Sequence, residues 1–180
     1  YTPIANPQRF IPDWTFGIQQ DALQELTDAI RTNDKPDAVV LLSHNGMDVD
    51  LKLASRVTGI DAIFGGHTHD GVPAAIPVKN PSGTTLVTNA GSNGKFVGVL
   101  DLTIKQGKVR GYQYRLVPVF ANFLEPDPQM LAHIERVRAP HINKLNEVLT
   151  YTDSLLYRRG NFNGTFDEVI CKALTEVNDA

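Results

Sequence analysis

The sequence predicts an α/β fold in which short buried strands alternate with amphipathic helices. Two apolar runs of strand length, at 38–42 and 61–64, each lead into a loop that contains glycine and histidine. Between them, residues 48–57 carry apolar side chains at helical spacing. A strand, a helix and a strand in this order form a βαβ unit with a right-handed crossover. Both histidine loops are therefore expected at the carboxyl edge of one sheet, where open α/β sheets place their functional groups.

The first apolar run, at 38–42, is continuous and has valines at its centre, which predicts a parallel strand buried on both faces. Upstream of it, apolar residues at helical spacing predict a helix over 19–32. Downstream of the histidine loops, prolines and glycines at 73–83 predict a long surface loop. Strands are then predicted over 85–88, 96–105 and 108–119, the last two paired as an antiparallel hairpin.

The last third of the chain has a different pattern. A helix is predicted over 127–145, and Pro140 predicts a break within it. A strand over 148–156 and a helix over 165–177 follow. Cys171 lies among apolar residues of that last helix, which predicts a packed thiol.

The composition argues against two classes of partner. The 180 residues are 42% hydrophobic and 21% charged, with a formal net charge of -3. This balance provides no basic surface for nucleic acid and no polybasic patch for a membrane. No run approaches the roughly 18 apolar residues that a membrane-spanning helix needs. The single cysteine forms no internal disulfide, so cysteine usage leaves the compartment open.

Three histidines are the candidate functional residues. His44 follows the first strand, and His67 and His69 follow the second, two positions apart. In an extended segment, side chains two positions apart point to the same side. Neutral imidazole is a common ligand for transition metals, and glycines at 65, 66 and 71 allow tight turns and close approach to an ion. The sequence therefore predicts a metal site, with a solvated loop of polar histidines as the alternative.

A hydrolytic metal site needs more ligands than three imidazoles. Asp48, Asp50 and Asp70 are candidates by position, but none has a convincing ligand spacing. A structural zinc site is disfavoured because such sites usually contain cysteine. Two loops have alternatives that remain open. Residues 89–94 form either a plain turn or a backbone that approaches a ligand, and residues 157–164 form either an oxyanion-binding loop or a solvated one.

The residues 43–46 (Ser-His-Asn-Gly) and 65–69 (Gly-Gly-His-Thr-His) resemble the last two motifs of the calcineurin-like metallophosphoesterases. The helix at 127–147 followed by a new domain resembles the 5′-nucleotidase branch of that superfamily. More narrowly, four stretches are similar to the SoxB family of sulfur-oxidising bacteria, and the resemblance extends over essentially the whole chain. These stretches are 1–7, 12–18, 43–73 and 159–166.

The resemblance implies a particular domain organisation. Residues 1–126 are expected to form the C-terminal half of a metallophosphoesterase-type αββα sandwich. Residues 127–147 would be a linker helix, and residues 148–180 the beginning of a 5′-nucleotidase-type C-terminal α/β domain.

The resemblance also implies an activity. It suggests a periplasmic hydrolase with two Mn²⁺ ions, or with Zn²⁺ or another divalent ion. This hydrolase would release sulfate from a cysteine-bound sulfonate on the SoxYZ carrier protein. His44 and His67 would bind one ion and His69 the other, while Arg159 and Asn161 would lie near the substrate cleft. The alternatives are a 5′-nucleotidase or other phosphoesterase on the same scaffold, and a non-catalytic binding module.

Three motifs of the family pattern do not occur in this sequence. They are an Asp-x-His motif, a Gly-Asp-x-x-Asp motif with the bridging carboxylate, and a Gly-Asn-His-Asp motif with the catalytic histidine. They are expected upstream of Tyr1, and most of the second domain is expected after Ala180. We therefore expect this stretch to be an internal fragment that alone binds metal weakly and does not turn over.

Overall fold

A computed structural model describes residues 5–158 and 164–178. The chain forms two compact units that divide after Leu124. After a 3₁₀ turn at Gln8–Phe10, the described part of the first unit contains two helices and six strands. They are α1 (Gln20–Asn33), β1 (Val40–Leu42), α2 (Met47–Arg56), β2 (Ala62–Gly65), β3 (Ile76–Asn80), β4 (Gly83–Asn89), β5 (Phe96–Lys105) and β6 (Lys108–Pro118).

Four strands form one sheet in the order β1-β2-β4-β3. Strands β1, β2 and β4 are parallel, and β3 pairs antiparallel with β4. The predicted βαβ unit is thus confirmed as β1-α2-β2. Strand β3 lies within 73–83, where a surface loop was predicted. That prediction was wrong because the turn residues Pro81 and Ser82 connect β3 to β4, and Asn80 pairs with Gly83 across them.

The sheet is covered on both faces, which confirms the α/β class. Alternate residues of a strand point to opposite faces. Ile63 and Val87 pack with Leu53 and Val57 of α2 on one face. The adjacent residues Ala62 and Leu86 point to the other face, where they contact a second sheet, the β5–β6 hairpin. Each fully buried valine, leucine or isoleucine side chain of this kind contributes about 1.5 to 3 kcal/mol.

Arg31 of α1 connects the segments that lead into β1 and β2. Its Nε donates to the carbonyl of Gly59 at 2.9 Å, and one terminal nitrogen donates to the carbonyl of Pro36 at 3.0 Å. The other terminal nitrogen pairs with the carboxylate of Asp61, which also accepts from the Val39 amide at 2.7 Å. These bonds fix the amino edge of the sheet, opposite the histidine loops.

Strand β1 is not buried on both faces, so that prediction was wrong. Leu42 is 79% exposed and Val40 is 42% exposed. Within residues 5–158 and 164–178, β2 is the only strand that pairs with β1. An edge strand therefore carries the apolar sequence typical of a strand in the interior of a parallel sheet.

The second unit is helical in its described part. Its elements are α3 (Pro128–Arg138), a 3₁₀ turn at Ala139–His141, α4 (Ile142–Leu145) and α5 (Thr165–Asn178). Asp127 caps α3, since its carboxylate accepts from the Met130 amide at 2.8 Å. The predicted break at Pro140 is confirmed, because proline removes a helical hydrogen bond and the chain there adopts the 3₁₀ turn.

Two predictions for this unit were wrong. Residues 148–156 form no strand, because the described residues offer them no hydrogen-bonded neighbour. Cys171 is exposed rather than packed. The longest helices in the described ranges, α1 and α5, have 14 residues each and are too short to span a bilayer.

Candidate metal centre

The carboxyl ends of β1 and β2 bring two of the three candidate histidines together. His44 lies two residues after β1, and His67 lies two residues after β2. Nδ1 of His67 is 3.3 Å from Nε2 of His44. The two rings are 5.1 Å apart and meet edge to face at 79°. The parallel pairing of β1 with β2 therefore produces the expected convergence of His44 and His67.

The separation of these two nitrogens fits ligands of a common ion. Two nitrogens at about 2.1 Å from one metal ion lie about 3.0 to 3.4 Å apart for angles between octahedral and tetrahedral. The observed 3.3 Å between His44 and His67 falls within that range. Imidazole ligands suit zinc and iron, whereas manganese prefers oxygen donors. The pair thus fits part of a metal site and needs oxygen ligands from elsewhere to favour manganese.

His69 does not join this pair. It is exposed, and within the described ranges no three His, Cys, Asp or Glu side chains form a group that can hold a metal. His67 and His69 have φ angles of 73° and 59°, so the backbone is left-handed at both. The prediction that an extended segment aligns their imidazoles was wrong. The turn starts at Gly66, whose carbonyl accepts from the Thr68 amide at 3.0 Å.

Thr68 attaches the histidine loop to the start of α2. Its hydroxyl donates to the carboxylate of Asp70 at 2.5 Å and accepts from the Met47 amide at 3.3 Å. Met47 is the first residue of α2. Asp70, a candidate ligand by position, is therefore engaged in holding the loop.

Asp50 is wholly buried behind the two histidine loops. Its Oδ1 accepts from the Ser43 hydroxyl at 2.5 Å, and its Oδ2 has no partner among the described residues. Burial raises the pKa of Asp50, and the bond from Ser43 opposes that rise only in part. Sequence reasoning treated Asp50 as a candidate ligand and missed its burial. The signal was present, because Asp50 precedes Leu53, Ala54 and Val57 at helical spacing and shares their buried face.

The glycines before His67 are required by close contacts rather than by a turn. A Cβ on Gly65 would lie 2.6 Å from Oδ2 of Asp50 and 3.2 Å from the Thr88 carbonyl. A Cβ on Gly66 would lie 3.0 Å from Nδ1 of His44. Neither glycine has a positive φ. The loop therefore places its left-handed turn on the histidines and uses the glycines to admit neighbouring side chains.

The loop at 89–94 lies along the histidine loop. The Gly91 amide donates to the carbonyl of Asp70 at 2.8 Å, and the Val72 amide donates to the carbonyl of Asn89 at 2.9 Å. Asn89 is buried, pairs in register with Gly65 and has an Nδ2 without a partner among the described residues. The loop supports the histidine loop, and its approach to a ligand stays a prediction.

The predicted substrate residues Arg159 and Asn161 lie outside the described residues. Near them, the side chain of Arg158 pairs with Asp167 at 3.1 Å, and the Tyr157 amide donates to the hydroxyl of Thr165 at 2.7 Å. The oxyanion-binding hypothesis for this loop stays a prediction.

Several known proteins are similar to this chain in sequence or in structure. No protein-family profile matches the chain. The chain is 31% identical over 138 residues to the trifunctional nucleotide phosphoesterase YfkN of Bacillus subtilis strain 168. The matched region covers 76% of this chain and 9% of YfkN. Its structure matches the sulfate thiohydrolase SoxB of Thermus thermophilus with a TM-score of 0.79 and 32% identity, over 99% of this chain and 32% of SoxB.

A second structural match is a 5′-nucleotidase precursor, also from Thermus thermophilus. The TM-score is 0.64 and the identity 26%, over 73% of this chain and 28% of that protein. The chain thus spans about a third or less of the length of the relatives it matches.

The layered α/β fold with histidine loops at the carboxyl edge of its parallel strands defines a metallophosphoesterase-type domain. The chain belongs to the 5′-nucleotidase family, and its fold is SoxB-like along almost its whole length. The resemblance that the histidine motifs indicated is thus confirmed. Enzymes of this family in general depend on two metal ions.

Proposed function

We propose that the protein containing this chain is a sulfate-releasing hydrolase of thiosulfate oxidation that acts in the periplasm on the SoxYZ carrier. The structural match to SoxB carries the proposal, because it covers 99% of the chain and includes both histidine loops. By comparison, the match to the 5′-nucleotidase precursor covers 73% of the chain.

In this proposal, His44 and His67 hold one ion and His69 belongs to the second. Manganese is the proposed metal, with zinc or another divalent ion as the alternative. Such ions make a bound water more acidic and polarise an oxygen of the substrate. The contact between His44 and His67 at 3.3 Å supports the first assignment. Arg159 and Asn161 are proposed to bind the anionic end of the substrate.

The proposed reaction is a hydrolysis without redox change. The oxygen of water bonds to the sulfonate sulfur while the bond from that sulfur to the carrier sulfur breaks. The carrier sulfur leaves with the electron pair and takes a proton, and the sulfonate becomes sulfate. Planar guanidinium groups bind such tetrahedral oxyanions well, which is the chemical role proposed for Arg159.

A phosphoesterase or 5′-nucleotidase is the second candidate. The 31% identity to YfkN, named a trifunctional nucleotide phosphoesterase, favours it. The same histidines serve this reaction, because a phosphoryl group needs the same clamp on its oxygens.

The deciding experiment assays the full-length protein with Mn²⁺ on two substrates in parallel. One is SoxYZ that carries a cysteine S-sulfonate, and the other is AMP. We expect sulfate release from the first, and we expect His67→Ala to lower it by at least 10³-fold because an ion ligand is lost, on the order of magnitude of a removed catalytic group. His133→Ala is the matched control, since His133 is exposed on α3.

Phosphate release from AMP without sulfate release would replace the proposed function by the second candidate. If sulfate release survives the His67→Ala substitution, His67 is not a required ligand of the metal site. Equal losses in His67→Ala and His133→Ala would show that the assay reports stability rather than ligation.

A further inference from the structure

The side chain of Asp50 contacts both histidine loops from the interior of the domain. We infer that Asp50 is a positioning residue that sets the placement of His44 relative to His67, through Ser43 on one side and Gly65 on the other. The inference rests on the proposed function only where it concerns a bound metal, because the placement of the rings exists without one.

The contact with the His44 loop runs through Ser43. Asp50 Oδ1 accepts from the Ser43 hydroxyl at 2.5 Å. The same hydroxyl oxygen accepts from the backbone amide of Asn45 at 3.3 Å and from its side-chain Nδ2 at 3.1 Å. Ser43 and Asn45 are the two neighbours of His44 in the chain. Asp50 therefore orients the hydroxyl that holds the backbone on both sides of His44.

The contact with the His67 loop runs through Gly65. Asp50 Oδ2 occupies the space in which a Cβ of Gly65 would lie, at 2.6 Å from that position. Gly65 is the last residue of β2 and lies two positions before His67. A side chain at Gly65 would push β2 away from α2, and His67 would move with the strand. One carboxylate thus lies against the base of each loop.

Burial of the Asp50 carboxyl group has an energetic cost, which argues that the group serves the site. A buried charged group without full hydrogen bonding lowers the stability of a protein, and Oδ2 has no partner among the described residues. Packing already secures α2, because Leu53, Ala54 and Val57 are buried against the sheet. An apolar residue at position 50 would suit this core, but it would leave the Ser43 hydroxyl without its acceptor.

The test uses the full-length protein with Ser43→Ala, Asp50→Ala and the double variant. The first measurement is the NMR signals of the imidazole rings in metal-free protein. We expect the His44 and His67 signals to shift in each single variant, while those of His133 and His141 stay unchanged. The second is the affinity for Zn²⁺ and Mn²⁺, measured against a competing chelator. We expect a loss of about 10- to 100-fold in each single variant.

The double variant should bind metal no more weakly than the more affected of the two single variants, because both substitutions break the same linkage. Ser55→Ala is the matched control, since the Ser55 hydroxyl bonds to the Lys52 carbonyl within α2 and should leave both measurements unchanged. If Asp50→Ala fails to fold, Ser43→Ala tests the inference alone, because Ser43 lies in a partly exposed loop.

Unchanged His44 and His67 signals in Ser43→Ala would overturn the inference, whatever the metal affinity. Wild-type protein that binds neither ion, with shifted His44 and His67 signals in the variants, would overturn the proposed function and support the positioning role. Additive losses in the double variant would show that Ser43 and Asp50 act separately, against the inference.

Discussion

The two histidine loops are held in different ways although they leave neighbouring strands at the same edge. The His44 loop is fixed from the interior, through Ser43 and the buried Asp50. The His67 loop is held by Thr68 at the surface and by backbone bonds to the 89–94 loop, and its histidines adopt left-handed backbone angles. Only its base, at Gly65, lies against Asp50. In the first loop, the energetic cost of this attachment is the burial of the Asp50 carboxylate. In the second, the cost is a backbone conformation that side chains seldom adopt.

This difference indicates which loop is able to move. A loop held by a partly buried hydrogen bond to a packed helix opens only when that bond breaks or the helix moves. A loop held by an exposed hydroxyl opens locally at a small cost. We therefore expect the part of the His67 loop around Thr68 to open more readily than the His44 loop. The following substitutions test this contrast in order of expected effect.

Gly65→Ala should produce the largest loss of stability. The new Cβ would lie 2.6 Å from Asp50 Oδ2 and 3.2 Å from a backbone carbonyl. We expect the free energy of unfolding to fall by about 3 kcal/mol, as for overpacked cores. Urea unfolding followed by circular dichroism measures it. Gly111→Ala is the control, because its Cβ would meet Thr103 at an ordinary 3.7 Å. Similar losses in the two variants would disprove the contact with Asp50.

Thr68→Val should loosen one loop and leave the other intact. It removes the acceptor for the Met47 amide and the donor to Asp70. We expect a loss of about 1 kcal/mol in unfolding free energy. Hydrogen exchange should be faster at the Met47 amide and unchanged at the Asn45 amide. Faster exchange at both amides would mean that the two loops are held together rather than separately.

Glycine at the histidine positions should have opposite effects in the two loops. His69 has a φ of 59°, and glycine adopts this angle without strain. We expect His69→Gly to raise the unfolding free energy by about 0.5 kcal/mol. His44 has no positive φ, so His44→Gly should lower it by a similar amount. Thermal unfolding of both variants in metal-free protein provides the comparison, and a loss in both would contradict the strain at His69.

The pH dependence of stability should show the smallest effect, because the bond from Ser43 opposes the desolvation of Asp50. Burial raises the folded-state pKa of Asp50 above its ordinary value of 3.8. The folded state then binds the proton more tightly than the unfolded state. The stability that Asp50 contributes is therefore present below the unfolded pKa and is lost as the pH rises through the folded pKa.

Urea unfolding at a series of pH values checks this sign. Relative to Asp50→Asn, the wild type should lose stability from about pH 4 upwards and then reach a plateau. Ser55→Ala, which changes no titratable group, should run parallel to the wild type. A wild type that gains stability with pH relative to Asp50→Asn would show that the Ser43 bond outweighs burial.

The sequence predicted the parts of the fold that depend on local patterns. Helical spacing predicted the bounds of α1 to within one residue at each end, and alternation predicted both bounds of β5. The strand at 148–156 failed because strand formation requires a partner, and apolar alternation does not show whether one is present. Strand β3 was missed because Pro77 within it and the prolines on either side of it resemble a loop, although an edge strand tolerates a proline.

At the site, the sequence predicted that His44 and His67 lie close together, but it did not predict the backbone conformation of the His67 loop. The order strand, helix, strand was sufficient to bring His44 to His67. The left-handed backbone at His67 and His69 has no sequence signature comparable to glycine, so the sequence predicts an extended segment there instead. The role of Asp50 depends on a three-dimensional neighbour, Gly65, that is 15 positions away in the chain. Only the packing of α2 on β2 reveals it.

Arg31 has a consequence for how such a domain can change over evolutionary time. Its bonds to Gly59, Pro36 and Asp61 hold β1 and β2 in alignment from the amino edge. A shift of one residue between strands would turn every side chain to the opposite face, so this alignment must be kept. Because it is kept at the edge opposite the histidines, substitutions in the exposed parts of the histidine loops need not disturb it. One arginine thus maintains the strand alignment from the edge opposite the site.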